Sequence, residues 1–211
     1  MKKIIVVALA GIAAFSVQAE QSKMYWGGEV GISHLDDQTG TISTGLVNAV
    51  GGSASTSQDK NVTTFKVVGG YRYTENLDLE VGYFQSATAR MNFNGVSSGA
   101  VAYTGNANLN FSGVEYAANV RPSVSSGWNE LYFRIGGHTS RLETDISINA
   151  NAVTASANKT YSGSGTLYGL GYDQKFNETT KIRYSAVKYS RVGGESDSGG
   201  SVFSIGVVKN F

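Results

Sequence analysis

Residues 64–84, with the sequence TFKVVGGYRYTENLDLEVGYF, decide the fold of this chain. In residues 64–72 and again in residues 77–84, apolar and polar side chains alternate, which is the period of a β-strand with two unlike faces. Only residues 73–76 separate the two runs, and this spacing predicts an antiparallel hairpin with a tight turn. The polar face of the hairpin carries Lys66, Arg72 and Glu80.

The same alternation recurs in six further segments, whereas the spacing of an amphipathic helix is missing after the N-terminal segment. Each segment has one apolar face and one polar or glycine-containing face. The predicted strands are residues 24–34, 64–72, 77–84, 112–121, 131–138, 166–175, 181–187 and 202–211.

The connections between these strands alternate in length. The short connections are residues 73–76, 122–129 and 176–179, and the long ones, rich in Ser, Thr, Asn, Gly and Ala, are residues 36–62, 85–110, 139–165 and 190–201. Short turns on one side and long polar loops on the other are typical of a transmembrane β-barrel, with the short turns on the periplasmic side. We therefore predict an all-β protein that folds as a transmembrane, eight-stranded, antiparallel up-and-down β-barrel.

A soluble, exported β-sandwich would also show alternating strands, and two features argue against it. The polar face mixes charges of both signs with glycines, which suits a crowded, narrow barrel interior better than a wet surface. The apolar face carries aromatic residues near the strand ends, as the interfacial girdle of a membrane barrel requires. These aromatic residues are Trp26, Tyr71, Tyr83, Tyr172 and Phe211.

The N-terminus has the three parts of a secretory signal peptide. Lys2 and Lys3 form the positive region, residues 4–15 form an apolar stretch too short to cross a bilayer as a helix, and residues 17–19 form a small-residue cleavage site. The sequence predicts cleavage after Ala19, so that residues 1–19 are the signal peptide and residues 20–211 the barrel domain.

Composition excludes several classes of function. The formal net charge of +1 argues against a protein that binds nucleic acid by neutralising phosphates. The chain has no Cys and two His residues, which excludes disulfide scaffolds, thiol nucleophiles and thiolate zinc sites. We therefore expect no metal and no cofactor.

The chain resembles the OmpA-like family of small outer-membrane β-barrels of Gram-negative bacteria. The likeness covers the whole chain after the signal peptide and rests on short motifs, which are residues 70–72 (GYR), 74–76 (TEN), 79–83 (LEVGY), 169–172 (GLGY) and 182–184 (IRY). The alternating apolar residues that end at Phe211 resemble the C-terminal signal read by the barrel-assembly machinery. Lys209 departs from this pattern, but a lysine near the periplasmic interface can extend its ammonium group to water.

This resemblance implies a location in the outer membrane, contact with membrane lipid and lipopolysaccharide, insertion by the barrel-assembly machinery and a monomeric state. It also implies a structural or narrow porin-like role. The alternative is an adhesin, host-interaction or resistance factor that acts through its loops, because surface loops are where binding functions concentrate.

Phe211 is expected to act as the assembly signal.

Seven charged residues are expected to point into the barrel. An eight-stranded barrel is just wide enough to be filled by its own side chains, and buried charges must pair. The simplest interpretation is a salt-bridge network that fills the interior. The alternative, implied by the resemblance, is a gate whose ion pairs exchange to open a narrow path. The residues are Lys66, Arg72, Glu80, Glu115, Arg134, Lys181 and Arg183.

A catalytic site is not expected. Some small outer-membrane lipid hydrolases and acyltransferases use a His with a Ser and an acid near the outer rim. Here Ser33 and His34 precede two Asp residues, and His138 precedes a Thr and a Ser, but neither shows the His-x-Ser-Asn pattern associated with lipid A deacylases. We interpret both histidines as polar rim residues, and a rim-active lipid enzyme is the least favoured function.

Overall fold

The structure is a computed structural model that describes residues 23–122, 130–151, 153–196 and 198–211. The predicted signal peptide, residues 1–19, lies outside the described residues, and so do residues 123–129 of the second short connection. The cleavage site after Ala19 and the boundary of the barrel domain at residue 20 therefore remain predictions.

Ten strands form one antiparallel sheet in the part of the chain that the structure describes. The strands are β1 (Met24–Leu35), β2 (Ser53–Gln58), β3 (Asn61–Thr74), β4 (Leu77–Ser86), β5 (Ala89–Val96), β6 (Ala102–Val120), β7 (Leu131–Ala150), β8 (Val153–Lys175), β9 (Thr180–Ser190) and β10 (Gly199–Asn210). An α-helix, α1 (Thr39–Val50), lies between β1 and β2, and a short 3-10 helix (Val192–Gly194) lies between β9 and β10. No helix among the described residues is long and apolar enough to cross a membrane.

Eight of these strands close into a ring, which confirms the predicted fold. Their order around the ring is β1, β3, β4, β6, β7, β8, β9 and β10, and β10 pairs back with β1. Every strand of the ring coincides with one of the eight segments predicted from the alternating pattern, although the predicted segments 112–121 and 202–211 each end one residue beyond their strand. The turns between β3 and β4 and between β8 and β9 are short, as expected.

The long connections differ from the polar loops that the sequence predicts. Residues 139–150 and 153–165 are the outer halves of β7 and β8, which pair with each other up to Ala150 and Val153. Residues 85–110 contain β5 and the outer half of β6, and β2 pairs with β5 beside them. These segments are made mostly of Ser, Thr, Asn and Ala. Some of them still alternate in burial, as Ala89, Met91 and Phe93 do on β5, so a signal was present, but the abundance of Ser, Thr and Asn obscured it.

The expectation that no amphipathic helix exists is also wrong, because α1 occupies residues 39–50. Ile42, Leu46 and Val47 are partly buried on one side of this helix, at a spacing that fits one helical face. The residues between them, Ser43, Thr44 and Gly45, weakened the signal. The helix packs on β2, where Ser43 donates a hydrogen bond to the carbonyl oxygen of Ala54 at 3.0 Å.

The outer surface of the ring is apolar. The aromatic residues expected in the girdle all point outward and are exposed on the isolated chain, as are many aliphatic residues between them. Farther out along the same strands, outward positions become polar, as at Gln85, Ser112, Thr139 and Thr166. The apolar band therefore marks the part of the barrel that faces lipid, and the outer parts of β5 to β8 extend beyond it.

Candidate functional site

Glu80 lies at the centre of the barrel lumen and is 2% exposed. Its carboxylate accepts hydrogen bonds from the hydroxyl group of Tyr25 at 2.7 Å and from Nη1 of Arg183 at 2.5 Å. It also accepts a hydrogen bond from Nη1 of Arg134. These partners lie on β1, β9 and β7, while Glu80 lies on β4. One carboxylate therefore joins four strands from different sides of the ring.

Ion pairs continue from Glu80 towards the periplasmic end. Arg183 donates to Asp173 through Nε at 2.7 Å and through Nη2 at 3.0 Å. Nη2 of Arg121 bonds to the same aspartate at 2.6 Å, and Nε of Arg121 bonds to Asp78 at 3.0 Å. Nε of Arg72 lies 3.5 Å from Asp78, and the side chain of Arg72 is 39% exposed. The network therefore reaches water at this end.

Ion pairs also continue from Arg134 towards the outer end. Nη2 of Arg134 donates to Glu115 at 2.7 Å, and Nζ of Lys66 lies 3.6 Å from the same carboxylate. Nζ of Lys66 lies 3.1 Å from Oε2 of Glu29. That oxygen also accepts hydrogen bonds from the hydroxyl groups of Ser185 at 3.0 Å and Ser204 at 2.6 Å.

These contacts form a single sequence of alternating charges, which we name the charge chain. It runs through Arg72, Asp78, Arg121, Asp173, Arg183, Glu80, Arg134, Glu115, Lys66 and Glu29. Each member between the two ends has an opposite charge on either side, and the five cations and five anions make the charge chain neutral as a whole. Buried charges are tolerated when they are paired and hydrogen-bonded in this way.

Five of the seven predicted interior residues are buried members of the charge chain: Lys66, Glu80, Glu115, Arg134 and Arg183. Arg72 is its partly exposed end. Lys181 is half-buried near the periplasmic end and lies within 4 Å of no carboxylate among the described residues. Four members of the charge chain are not among the predicted residues: Glu29, Asp78, Arg121 and Asp173. The alternating pattern places all four on the polar face, so the signal was present.

Two tyrosines lie flat against the inner wall of the lumen because glycines lie beneath them. A Cβ atom added to Gly70 would lie 2.1 Å from Cζ of Tyr25, and one added to Gly171 would lie 2.0 Å from Cζ of Tyr132. The guanidinium carbon of Arg183 lies 5.8 Å from the centre of the Tyr25 ring and 5.1 Å from that of Tyr132. These rings therefore favour the cation by cation–π attraction.

An apolar cluster occupies the outer part of the lumen. Phe84 on β4 and Tyr189 on β9 meet from opposite sides of the ring, with ring centres 5.3 Å apart. The hydroxyl group of Tyr189 donates to Glu115 and so joins the cluster to the charge chain. Buried members of the cluster are Val62, Phe84, Ala89, Phe111, Ala117, Leu167, Val187 and Tyr189.

The two histidines do not form a catalytic arrangement. Nδ1 of His34 lies 2.9 Å from Oδ1 of Asn61 on the neighbouring strand. His138 is fully buried, its Nε2 atom lies 3.0 Å from the carbonyl oxygen of Ser190, and its ring packs edge-on against Phe84. In the described part of the chain, no ring nitrogen of either histidine is hydrogen-bonded to a serine hydroxyl. The same residues contain no cluster of three potential metal ligands.

Asp37 forms a small polar cluster at the outer rim. Its carboxylate accepts hydrogen bonds from Nζ of Lys60 at 2.8 Å and from the hydroxyl and backbone N–H groups of Thr39 at 2.7 and 2.9 Å. These donors, with Lys60 foremost, hold the pKa of the Asp37 carboxyl well below its usual range. The cluster ties the start of α1 to the segment between β2 and β3.

The family model described as "Outer membrane protein beta-barrel domain" matches residues 4–211, which is nearly the whole chain. A comparison with curated protein sequences finds no match.

Several solved structures are similar to this chain. Neisserial surface protein A (NspA) is 14% identical, with 90% of this chain and 98% of that chain covered and a TM-score of 0.45. The attachment invasion locus protein Ail of Yersinia pestis, in complex with the heparin analogue sucrose octasulfate, is 13% identical, with 90% and 99% covered and a TM-score of 0.46. The N-terminal β-barrel domain of Pseudomonas aeruginosa OprF is 13% identical, with 91% and 100% covered and a TM-score of 0.44.

Proposed function

The chain belongs to the outer membrane protein β-barrel domain family, and from this premise we propose that it is a closed, structural barrel of the outer membrane. The observation that carries this proposal is the charge chain, which crosses the lumen from the periplasmic end to Glu29. Its central member Glu80 bonds directly to Arg134 and Arg183, so that paired side chains from three strands occupy the lumen at that level.

The packing supports closure rather than a gate. A gate would have to exchange ion pairs within a lumen where the buried arginines are already paired. Arg134 holds Glu80 and Glu115, and Arg183 holds Glu80 and Asp173 and lies 4.0 Å from Glu29. Breaking such a pair without a substitute partner is unfavourable by about 3–5 kcal/mol. The pairing that we describe offers Glu80 no spare cation, because Lys66 already lies between Glu29 and Glu115.

Conductance in planar bilayers tests this proposal. We expect the purified, refolded barrel to give no discrete current steps above those of the bilayer alone. A general porin reconstituted in the same way serves as the positive control. Regular single-channel openings that depend on the amount of barrel added would overturn the closed-barrel proposal and favour the porin-like one.

The same proposal includes export, cleavage after Ala19 and residence in the outer membrane as a monomer in contact with lipid and lipopolysaccharide. The outward apolar band of the ring supports a membrane location, since such a band matches hydrocarbon. N-terminal sequencing of the protein from the outer-membrane fraction should begin at Glu20. A sequence that begins elsewhere would move the cleavage site.

We also propose that the barrel has no catalytic activity. The placement of His34 beside Asn61 and of His138 in the apolar cluster supports this. Mass spectrometry of lipid A from cells with and without the protein should show the same species. A loss or gain of an acyl chain that depends on either histidine would overturn the assignment.

Surface binding is a second candidate, and one observation favours it. Residues 153–166 of β8 pair with β7, but their other edge pairs with no strand of the described residues. An uncovered strand edge can add an extended peptide through backbone hydrogen bonds. Shortening the β7–β8 hairpin to the level of Thr139 and Ser164 should abolish any cell adhesion that the barrel confers. Unchanged adhesion would exclude this hairpin as the binding surface.

A further inference from the structure

A cavity of about 90 Å³ lies in the outer part of the lumen, beyond the charge chain. Its mouth is formed by the outer ends of strands and their connections, including Asp36, Gln58 and Gly199. Its walls are mostly apolar, and its floor lies at Glu29 and Lys66. The apolar wall residues include Leu35, Phe111, Leu109, Leu142, Val187 and Val202.

We propose that this cavity binds a small uncharged molecule with an apolar body and one hydroxyl or carbonyl oxygen. The apolar walls favour the body, because a cavity lined by aliphatic and aromatic side chains stays poorly hydrated and accepts apolar guests. This site goes beyond the structural role and does not depend on whether the barrel conducts ions.

The floor of the cavity explains why the molecule is uncharged. Lys66 and Glu29 are both buried and pair at 3.1 Å, so they neutralise each other. At the mouth, Nζ of Lys188 lies 2.7 Å from Asp36, and this pair is also neutral. A charged ligand would therefore meet no unmatched opposite charge and would lose its hydration.

The floor also explains the single oxygen. An ammonium group has three N–H donors, and Nζ of Lys66 has Glu29 within hydrogen-bond distance while Glu115 lies farther away, at 3.6 Å. Donor capacity therefore remains for an oxygen atom that enters the cavity. The hydroxyl groups of Ser33 and Thr64, which bond to each other, line the cavity nearby.

The size of the cavity limits the guest. An apolar cavity of roughly 150 Å³ admits a benzene ring, so this smaller one suits a chain of a few carbon atoms. A group of ordered waters is the competing occupant, since each water takes roughly 30 Å³ in the liquid. Propanol is therefore a suitable probe, with propylammonium and propionate as charged probes of nearly the same length.

Methyl NMR of the full barrel in lipid nanodiscs tests the proposal. We expect propanol to shift the methyl signals of Leu109, Leu142 and Val187 with saturation, and both charged probes to bind more than about a hundredfold more weakly because they bury an unmatched charge. The outward methyl groups of Leu79 and Leu170 report partition of propanol into lipid and should shift without saturation.

A pair of variants on β10 locates the site. Val202 lines the cavity, whereas Val207 points outward on the same strand. Val202→Phe fills the cavity and should weaken propanol binding about tenfold or more, while Val207→Phe should leave it unchanged. Heat-dependent gel migration checks that both variants are folded.

Three results would overturn the proposal. The first is that lumen methyl groups respond to propanol no differently from lipid-facing ones, as expected if water fills the cavity. The second is that Val202→Phe, shown to be folded, binds propanol like the parent barrel. The third is that a charged probe binds as tightly as propanol, which would remove the requirement for an uncharged molecule.

Discussion

Replacing Glu80 by alanine removes the carboxylate at the centre of the charge chain. Three donors lose a partner at once: the hydroxyl group of Tyr25 and the guanidinium groups of Arg134 and Arg183. Arg183 would keep Asp173, and Arg134 would keep Glu115. The two halves of the charge chain would then be joined through the longer contact of Nη1 of Arg183 with Glu29, at 4.0 Å.

The structure sets the size of the effect. Arg134 retains Glu115, and Arg183 retains Asp173 with Glu29 4.0 Å away. Neither is left wholly unpaired, but both guanidinium groups remain buried with excess positive charge. We therefore expect the free energy of unfolding to fall by about 3–5 kcal/mol, the range for breaking a buried ion pair by removing one partner. Glu143→Ala, which removes a solvent-exposed pair with Arg141 at 3.7 Å, should cost about 0–1 kcal/mol.

Urea unfolding of the barrel in lipid vesicles, followed by tryptophan fluorescence, measures both variants against the parent. Leu79→Ala on the lipid face of the same strand controls for the loss of side-chain volume at that level. Planar-bilayer recording of Glu80→Ala then separates the two interpretations of the lumen. Closure by packing leaves the conductance unchanged or noisier, whereas a gate gives a distinct rise in open probability.

Equal free energies of unfolding for Glu80→Ala and Glu143→Ala would contradict this expectation. Such a result would mean that Arg134 and Arg183 need no anion between them, and that Glu80 does not join the two halves of the charge chain. A stable variant with a high open probability would contradict the proposed structural role as well.

Three further outcomes are expected. Gly171→Ala places a Cβ atom 2.0 Å from Cζ of Tyr132 and should destabilise the barrel by about 1–3 kcal/mol by overpacking. Gly69→Ala, where nothing lies within 4 Å of the new Cβ, should leave the stability unchanged. Equal stability of the two variants in urea would contradict this expectation. Deleting Phe211 should strongly reduce the amount of barrel in the outer-membrane fraction, and normal insertion would show that Phe211 is not part of an assembly signal. Hydrogen-bond donors lower the pKa of the Asp37 carboxyl in the folded state. The contribution of Asp37 to stability is therefore present above the unfolded pKa of about 3.9 and is lost as the pH falls through the lower folded pKa. A titration midpoint of Asp37 at or above about 3.9 by NMR would contradict the rim geometry.

The faces of the strands could be predicted from the sequence, whereas the partners of the charges could not. Alternation alone places Glu80 and Arg183 on inner faces. Their contact joins positions 103 residues apart across the ring, and it depends on how strands stagger around a closed barrel. The residues of a single strand do not reveal that stagger, and only part of the charge chain could therefore be predicted.

The outer extensions could not be predicted for a different reason. In residues 153–166 of β8, one face carries only Thr, Ser and Asn, the other carries Val, Ala, Lys, Tyr and Gly, and most side chains are exposed. The alternation is therefore between polar and mostly small residues, without the large apolar side chains that mark the membrane-spanning strands. Pairing with β7 is maintained by backbone hydrogen bonds, to which residue type contributes little. Pattern analysis therefore detects the strands within the membrane and overlooks their continuation beyond it.

Glycines in the barrel wall leave room in the lumen for the side chains of the charge chain and for the tyrosine rings beside them. Eight strands enclose a lumen only just wide enough for side chains, yet this lumen holds both large tyrosine rings and arginines. Tyr25 and Tyr132 fit because Gly70 and Gly171 have no Cβ beneath the rings, and the rings then lie beside Arg183. Glycines at such positions provide room rather than flexibility. A substitution that adds a single methyl group to the wall should therefore disturb the charge chain without touching any charged residue.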